Sequence, residues 1–525
     1  MTTKVIVKKG TYRDSISLLK VSNTISKLPG VTQAAVTMAT ELNRRVLSEA
    51  GFADSAIGRA ATDDMIVAID ARDSASLGAA LAETENLLSQ GERPAGAKAP
   101  PASLDEALEL LPDANLAFIS VPGQFAKREA MRAIARGLNV FLFSSNVPRE
   151  EELALKRAAR AKGLLMMGPD CGSAIINHEV LGFGNAVREG AIGLVSAAGT
   201  GLQEVATLIH KAGLGVSEAI GTGGGDLSGA VGGITMIQGL ELLETDKQTK
   251  VIVLISKPPG ADTEKKVLEA ARRCRKPIVV DFLGADLSQR VLGRLKSADT
   301  LDDAARAACE LVGLKPQAPQ ALVPERSVSV ALAEHEKLAK SQRYIRGLYA
   351  GGTLCYESQF VLQPLVGEVY SNSPISPVNK IPGEGPSKKH TCIDMGAEEF
   401  VEGRAHPMID FSLRNLRILQ EAKDPETAVI LIDVELGWGS NADPAGQLVP
   451  TVQRARGIAK EAGRHLAFVA SVVGTEGDFQ GLESQKKALS DAGVLILPSN
   501  AQAARVSALV ASGRKVEASI LGRSG

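Results

Sequence analysis

Two periods organise the apolar positions of this chain. Short, mainly apolar runs at 116–121, 140–143, 164–167, 193–195, 216–220, 251–255 and 277–282 alternate with segments whose apolar residues return every three or four positions, such as Leu202, Val205, Leu208 and Ile209. A short apolar run reads as a strand buried on both faces, and the longer period reads as an amphipathic helix. Helices are expected at 126–136, 150–162, 236–244, 263–273 and 301–311. This alternation predicts an α/β fold of several doubly wound parallel sheets. Residues 1–95 form a smaller α/β unit, with strands at 5–7, 31–38 and 64–69 and helices at 15–28, 41–50 and 74–88. A βαβ-based, ferredoxin-like sandwich is one arrangement of that pattern.

Segments without a period mark the joints. Residues 90–102, QGERPAGAKAPPA, read as an exposed connection, and 315–329 carry three prolines. The expected domains are 1–95, 103–189, 190–314 and 340–525. The last repeats the organisation of the third: 345–349 matches 192–195, 428–434 matches 250–255, and 465–472 matches 276–282. Gly- and Pro-rich residues 371–404 read as a loop insertion within the repeat.

The chemistry concentrates where strands break at glycine. Residues 191–233 contain a strand, then Gly199, Thr200 and Gly201, then a helical period. Such a turn aims several backbone N–H groups at one spot and adds the positive end of a helix dipole, which suits a phosphate or carboxylate. The repeat carries the same signal at Gly351, Gly352 and Thr353, and Glu204 and Glu357 each stand four residues after the threonine. The alternative is a turn that needs glycine only for close helix–sheet packing. Gly223, Gly224, Gly225 and Asp226 form a second loop at the same sheet edge, either covering the anion or serving as a structural turn.

Residues 404–414 gather Arg404, His406, Asp410 and Arg414. His406 suits a general acid, and either arginine suits bidentate capture of a substrate carboxylate. The competing reading makes His406 a loop residue ahead of Pro407 that caps the following helix. Asp433 and Glu435 end a strand at the ligand edge, where they would hold magnesium or a proton or simply face water.

Composition narrows the field. The chain has 525 residues and a formal net charge of −1, which favours neither nucleic acid nor an anionic membrane as a partner. No apolar run is long enough to span a bilayer and the start has no signal-peptide pattern, so a cytoplasmic location is expected. Five scattered cysteines and six scattered histidines argue against a disulfide framework and against a zinc site. Magnesium held through substrate phosphates is compatible with the sequence, since it needs few protein ligands.

Four stretches, LLMMGPDCG (164–172), AGTGLQE (198–204), GTGGGDLSG (221–229) and RAHPMID (404–410), together resemble the FdrA family over nearly the whole chain. That family is similar to the ADP-forming acyl-CoA synthetases, of which succinyl-CoA synthetase is the best known. The resemblance implies a Rossmann-like CoA-binding domain at 103–189, with Gly168, Pro169, Asp170 and Cys171 in a CoA-like pocket. It also implies two flavodoxin-like domains at 190–314 and 340–525, whose helix starts face a shared phosphate. Three departures stand out: residues 284–304 hold no histidine where the synthetases carry their catalytic one, no ATP-grasp domain is present, and GPDCGS replaces GPNCPG. The resemblance therefore implies a subunit role in a hetero-oligomer. It points to a phosphate-dependent oxamate carbamoyltransferase of anaerobic allantoin breakdown, which turns oxalurate and phosphate into oxamate and carbamoyl phosphate. The alternatives are an acyl-CoA synthetase-like subunit that binds CoA beside a nucleotide-binding partner, and a non-catalytic scaffold.

Overall fold

The computed structural model describes residues 2–52, 54–89, 101–287, 293–315, 322–401 and 404–521. Most of the 90–102 connection lies outside the described residues. The chain divides into two compact units: Met1–Ala102 with Gly396–Leu413, and Ser103–Met395 with Arg414–Gly525.

The first unit is built on a three-stranded sheet of β1 (Thr2–Lys8), β2 (Val31–Met38) and β3 (Met65–Ala71) in the order β1-β3-β2, with β3 antiparallel to both neighbours. β1 and β2 are therefore parallel with a strand inserted between them, a split βαβ. The Ser15–Ser26 and Ser74–Ser89 helices supply Leu18, Val21, Ile25 and Leu77 to one core. Thr40 caps the Glu41–Glu49 helix by accepting from the Asn43 amide. Residues 396–413, expected inside the last domain, belong to this unit instead. Their apolar side chains Phe400, Met408 and Phe411 are buried, and the Arg404 guanidinium donates to Asn43 Oδ1 at 2.7 Å.

The second unit holds three sheets. The smallest is parallel: β4 (Leu116–Ile119), β5 (Asn139–Leu142) and β6 (Met166–Met167). The seven-stranded sheet contains β7 (Ser173–Ile176), β8 (Glu179–Gly182), β9 (Glu189–Ser196), β10 (Val216–Gly221), β11 (Val251–Ser256), β12 (Ile278–Phe282) and β13 (Leu295–Ser297). Its order is β13-β12-β11-β9-β10-β7-β8. The β7–β8 hairpin lies before residue 190 yet pairs with β10, so this sheet begins earlier in the chain than the expected boundary. The six-stranded sheet contains β14 (Tyr344–Tyr349), β15 (Val369–Tyr370), β16 (His390–Asp394), β17 (Thr427–Glu435), β18 (Ala467–Val473) and β19 (Leu495–Leu497), in the order β15-β16-β14-β17-β18-β19. β16 corrects the reading of 371–404 as loops alone: five residues among glycines and prolines give too short a period to register, yet they pair in parallel with β14.

The parallel strands of both larger sheets follow one plan. Numbered from β9, the first runs 2-1-3-4-5, the flavodoxin-like order, and the second runs the same way from β14 once its two-residue edge strand β15 is set aside. Each therefore has its switch point where the order reverses beside β9 or β14. The two halves share one core, in which Leu202, Val205 and Ile209 join Leu354, Leu362 and Leu509. Each such side chain contributes roughly 1.5–3 kcal/mol when fully buried. The fold thereby holds the carboxyl edges of β9 and β14, and the helices that follow them, in one rigid body.

Candidate functional site

The helices that follow β9 and β14 are Gly199–Lys211 and Gly352–Val366. Their starts meet. A Cβ on Gly201 would stand 3.0 Å from Thr353 Cγ2, and one on Gly351 would stand 2.9 Å from both Thr200 Cγ2 and Oγ1. Glycine is required at both places because each helix start packs against the threonine of the other. Neither start has a side-chain cap, Ala198 and Gly351 being unable to supply one. By contrast, Thr300 and Ser499 cap the nearby Leu301–Val312 and Asn500–Ser512 helices. Two uncapped starts leave the amides of Gly199, Thr200, Gly201, Gly352 and Thr353 for an acceptor other than a cap, with two helix dipoles adding positive potential.

Side chains behind the starts hold them in place. Ser196 Oγ accepts from the Ala198 amide and donates to its carbonyl. In the other half Asp433 replaces that serine, its carboxylate accepting from the Ala350 and Gly351 amides at 2.8 and 2.7 Å. Arg414 Nη1 donates to Asp433 Oδ1 at 2.8 Å, and both side chains are fully buried. Arg414 therefore anchors the turn before Thr353 rather than standing open to a substrate carboxylate. Glu435 lies beside Asp433, and burial with that neighbouring charge raises its carboxyl well above the usual range.

Glu204 and Glu357 form a reciprocal pair. Glu204 Oε1 accepts from the Asn500 amide at 3.0 Å, and Glu357 Oε1 accepts from the Leu301 amide at 2.7 Å. Glu357 Oε2 also accepts from Asn500 Nδ2 at 2.7 Å. Each glutamate thus belongs to one half and caps a helix start of the other. Both are buried, which pushes the Glu204 carboxyl up to about 7 and that of Glu357 to about 8.

The Gly221–Gly225 stretch packs on the 168–171 loop. Gly223 has φ +82°, and a Cβ there would stand 2.0 Å from the Pro169 carbonyl oxygen. Asp226 is buried rather than open: it accepts from the Thr235 and Met236 amides, capping the Ile234–Thr245 helix, and pairs with buried Lys156 at 3.0 Å. Gly168, Pro169 and Cys171 are buried and Asp170 is exposed. Burial raises the Cys171 thiol to about 12, which removes it as a nucleophile. The Asp170 carboxyl, accessible on one side and crowded by protein on the other, is raised to about 6 by desolvation against the opposing pull of Arg149 and Lys257.

Lys257 escaped the sequence reading as anything but a loop residue. It follows β11 at the carboxyl edge, half-buried, with its ammonium 5.6 Å from the centre of the Tyr356 ring. Its only sequence signal was a cation at the ligand edge of a parallel strand.

Arg404, His406 and Asp410 belong to the first unit, whereas Thr200, Thr353 and Arg414 belong to the second. Arg404 donates to Asp410 at 2.9 Å and to Ser412 Oγ at 2.6 Å, and His406 Nδ1 accepts from the Met408 amide at 3.3 Å. Among the described residues no group of three His, Cys, Asp or Glu side chains is placed to hold a metal, and no helix is long and apolar enough to cross a membrane.

A family described as CoA-ligase matches residues 348–510, and one described as "AllF, heavy metal-associated domain" matches residues 1–102. Residues 1–102 contain neither cysteine nor histidine, so that match offers no thiolate or imidazole ligand. The chain is 44% identical over 500 residues to the protein YahF of Escherichia coli K12, covering 95% of this chain and 97% of that one. It is 31% identical to the succinate–CoA ligase [ADP-forming] subunit alpha 2 of Archaeoglobus fulgidus, over 41% of this chain and 77% of the relative. A solved acetyl-coenzyme A synthetase 1 from Ca. Korarchaeum cryptofilum, in complex with phosphate and ADP, is 17% identical with a TM-score of 0.33, over 83% of this chain and 90% of its own.

Proposed function

This chain belongs to the family of YahF and of the succinate–CoA ligase alpha subunits, and from that premise we propose that it is the phosphate-binding subunit of a phosphate-dependent carbamoyltransferase. The observation that carries the reading is the meeting of two uncapped helix starts at Thr200 and Thr353. Inorganic phosphate sits between them, held by the first-turn amides and the two threonine hydroxyls. One phosphate oxygen attacks the carbamoyl carbon of oxalurate, forming a C–O bond. The C–N bond to the oxamate nitrogen breaks, and that nitrogen takes a proton. With phosphate itself as the nucleophile, the histidine missing from 284–304 is not needed. Preorganised N–H donors facing developing negative charge supply roughly 2.7–4 kcal/mol each in comparable sites.

In this scheme Glu204, Glu357 and the Arg414–Asp433 pair are positioning residues, and His406 is the general acid that the sequence offers. Gly224 and its neighbours wall the site. Magnesium would be held through the oxygens of the bound phosphate and would neutralise part of their charge. In this reading the enzyme acts in the cytoplasm together with other subunits.

A second reading is supported by the ligase relatives: an acyl-CoA synthetase-like subunit that works with a nucleotide-binding partner. CoA would then meet the 168–171 loop, of which only Asp170 is open, an acid where the phosphates of CoA call for cations. The deciding assay supplies oxalurate and phosphate to the chain, alone and with its co-purifying partners. Carbamoyl phosphate formed only with the partners supports the transferase. A CoA-dependent product without carbamoyl phosphate overturns it in favour of the ligase reading.

A further inference from the structure

We propose that Lys257, with Tyr356 beneath it, is the anchor for a carboxylate on the acyl or carbamoyl donor, so that this site selects donors carrying a free carboxylate. The inference rests on the transferase reading and names its substrate class. Both sequence-derived candidates for that role are already engaged: Arg414 holds Asp433, and Arg404 holds Asn43, Asp410 and Ser412. Buried Lys156, Arg346 and Arg417 are likewise paired with carboxylates. Lys257 differs from all of these. It is half-buried, it has no carboxylate within salt-bridge distance among the described residues, and its one recorded contact is the Tyr356 ring.

Its place is suited to the task. Tyr356 belongs to the first turns of the Gly352–Val366 helix, and Lys257 leaves the carboxyl end of β11, next to β9. The ammonium therefore stands beside the paired helix starts. Its field reaches Asp170 on one side and Cys355 on the other. Arg149 also acts on Asp170, but its guanidinium is committed to Glu152 at 2.6 Å. An ammonium over an aromatic face keeps its attraction for an anion while the ring fixes its position. A donor whose carboxylate meets Lys257 is held by its oxamate end, which leaves the carbamoyl group at the other end to face the phosphate.

The test uses the full chain with its co-purifying partners, and two probes measured by calorimetry: oxamate, which has a carboxylate and a neutral amide, and inorganic phosphate. Lys257→Met is expected to weaken oxamate at least tenfold and to leave phosphate within twofold, while Lys257→Arg keeps most oxamate affinity. Unchanged melting of both variants shows that they fold. Oxamate affinity unaltered in Lys257→Met, or both probes weakened together, overturns this inference while leaving the phosphate site standing. Failure of the unaltered protein to bind phosphate overturns the transferase reading itself.

Discussion

Replacing Glu357 by Ala tests the reciprocal capping that holds the two helix starts together. The Leu301 amide loses its acceptor in a fully buried place, at a cost of about 1–3 kcal/mol. Asn500 Nδ2 keeps the Leu354 carbonyl at 2.9 Å and is not orphaned. The emptied side-chain volume adds a cavity cost, so a total of about 2–5 kcal/mol is expected. The pH dependence has a definite sign. Burial raises this carboxyl from 4.5 to about 8 in the folded protein, so the neutral form is the one the fold favours. The stability linked to it is fully present below the unfolded value and is lost as pH rises through the folded one. The penalty of Glu357→Ala must therefore be largest near pH 5, shrink progressively toward about pH 8 and change little above it. Urea unfolding at pH 5.5, 7 and 9, followed by fluorescence of the single tryptophan, Trp438, measures it. A penalty that grows with pH, or none at pH 5.5, refutes the argument.

Other substitutions separate positioning from chemistry. Arg414→Met leaves Asp433 buried without its cation and should cost about 3–5 kcal/mol, read as a lower urea midpoint, while Arg414→Lys should cost less. Gly351→Ala drives a methyl group into Thr200 and should weaken phosphate binding measured by calorimetry, with little change in content of secondary structure. His406→Asn should lower turnover roughly 10²–10⁴-fold with phosphate affinity unchanged, and unaltered turnover would remove His406 from proton delivery.

The strands and helices were legible because their periods are local. Leu202, Val205, Leu208 and Ile209 announce a helix face whatever surrounds them, and five apolar residues at 251–255 announce a buried strand. The duplicated flavodoxin-like sheets followed from the same signal. β16 was hidden because its five residues are too few to show a period between loops rich in glycine and proline. The helix starts were visible as glycine–threonine turns, but their meeting depends on tertiary packing across 152 residues, from Gly201 to Thr353. The same distance problem concealed the work of Glu204, whose acceptor role is fixed by an amide 296 positions away. Asp226 and Arg414 carried the right chemistry for a ligand, yet buried partners claimed both. Lys257 carried only the weak signal of a cation at a strand's ligand edge: what distinguishes it is the lack of a carboxylate partner among the described residues, which only the folded surroundings reveal.

The most direct measurement of the central claim is a double-mutant cycle on phosphate affinity with Thr200→Val and Thr353→Val, using calorimetry on the full chain with its partners. Each hydroxyl shared with one anion should contribute about 1 kcal/mol, so each single change should weaken binding several-fold. Because both threonines touch the same phosphate, the double variant should depart from the sum of the singles by about 0.5 kcal/mol or more. Strictly additive losses, or phosphate binding untouched by either change, would contradict a phosphate site shared by the two helix starts.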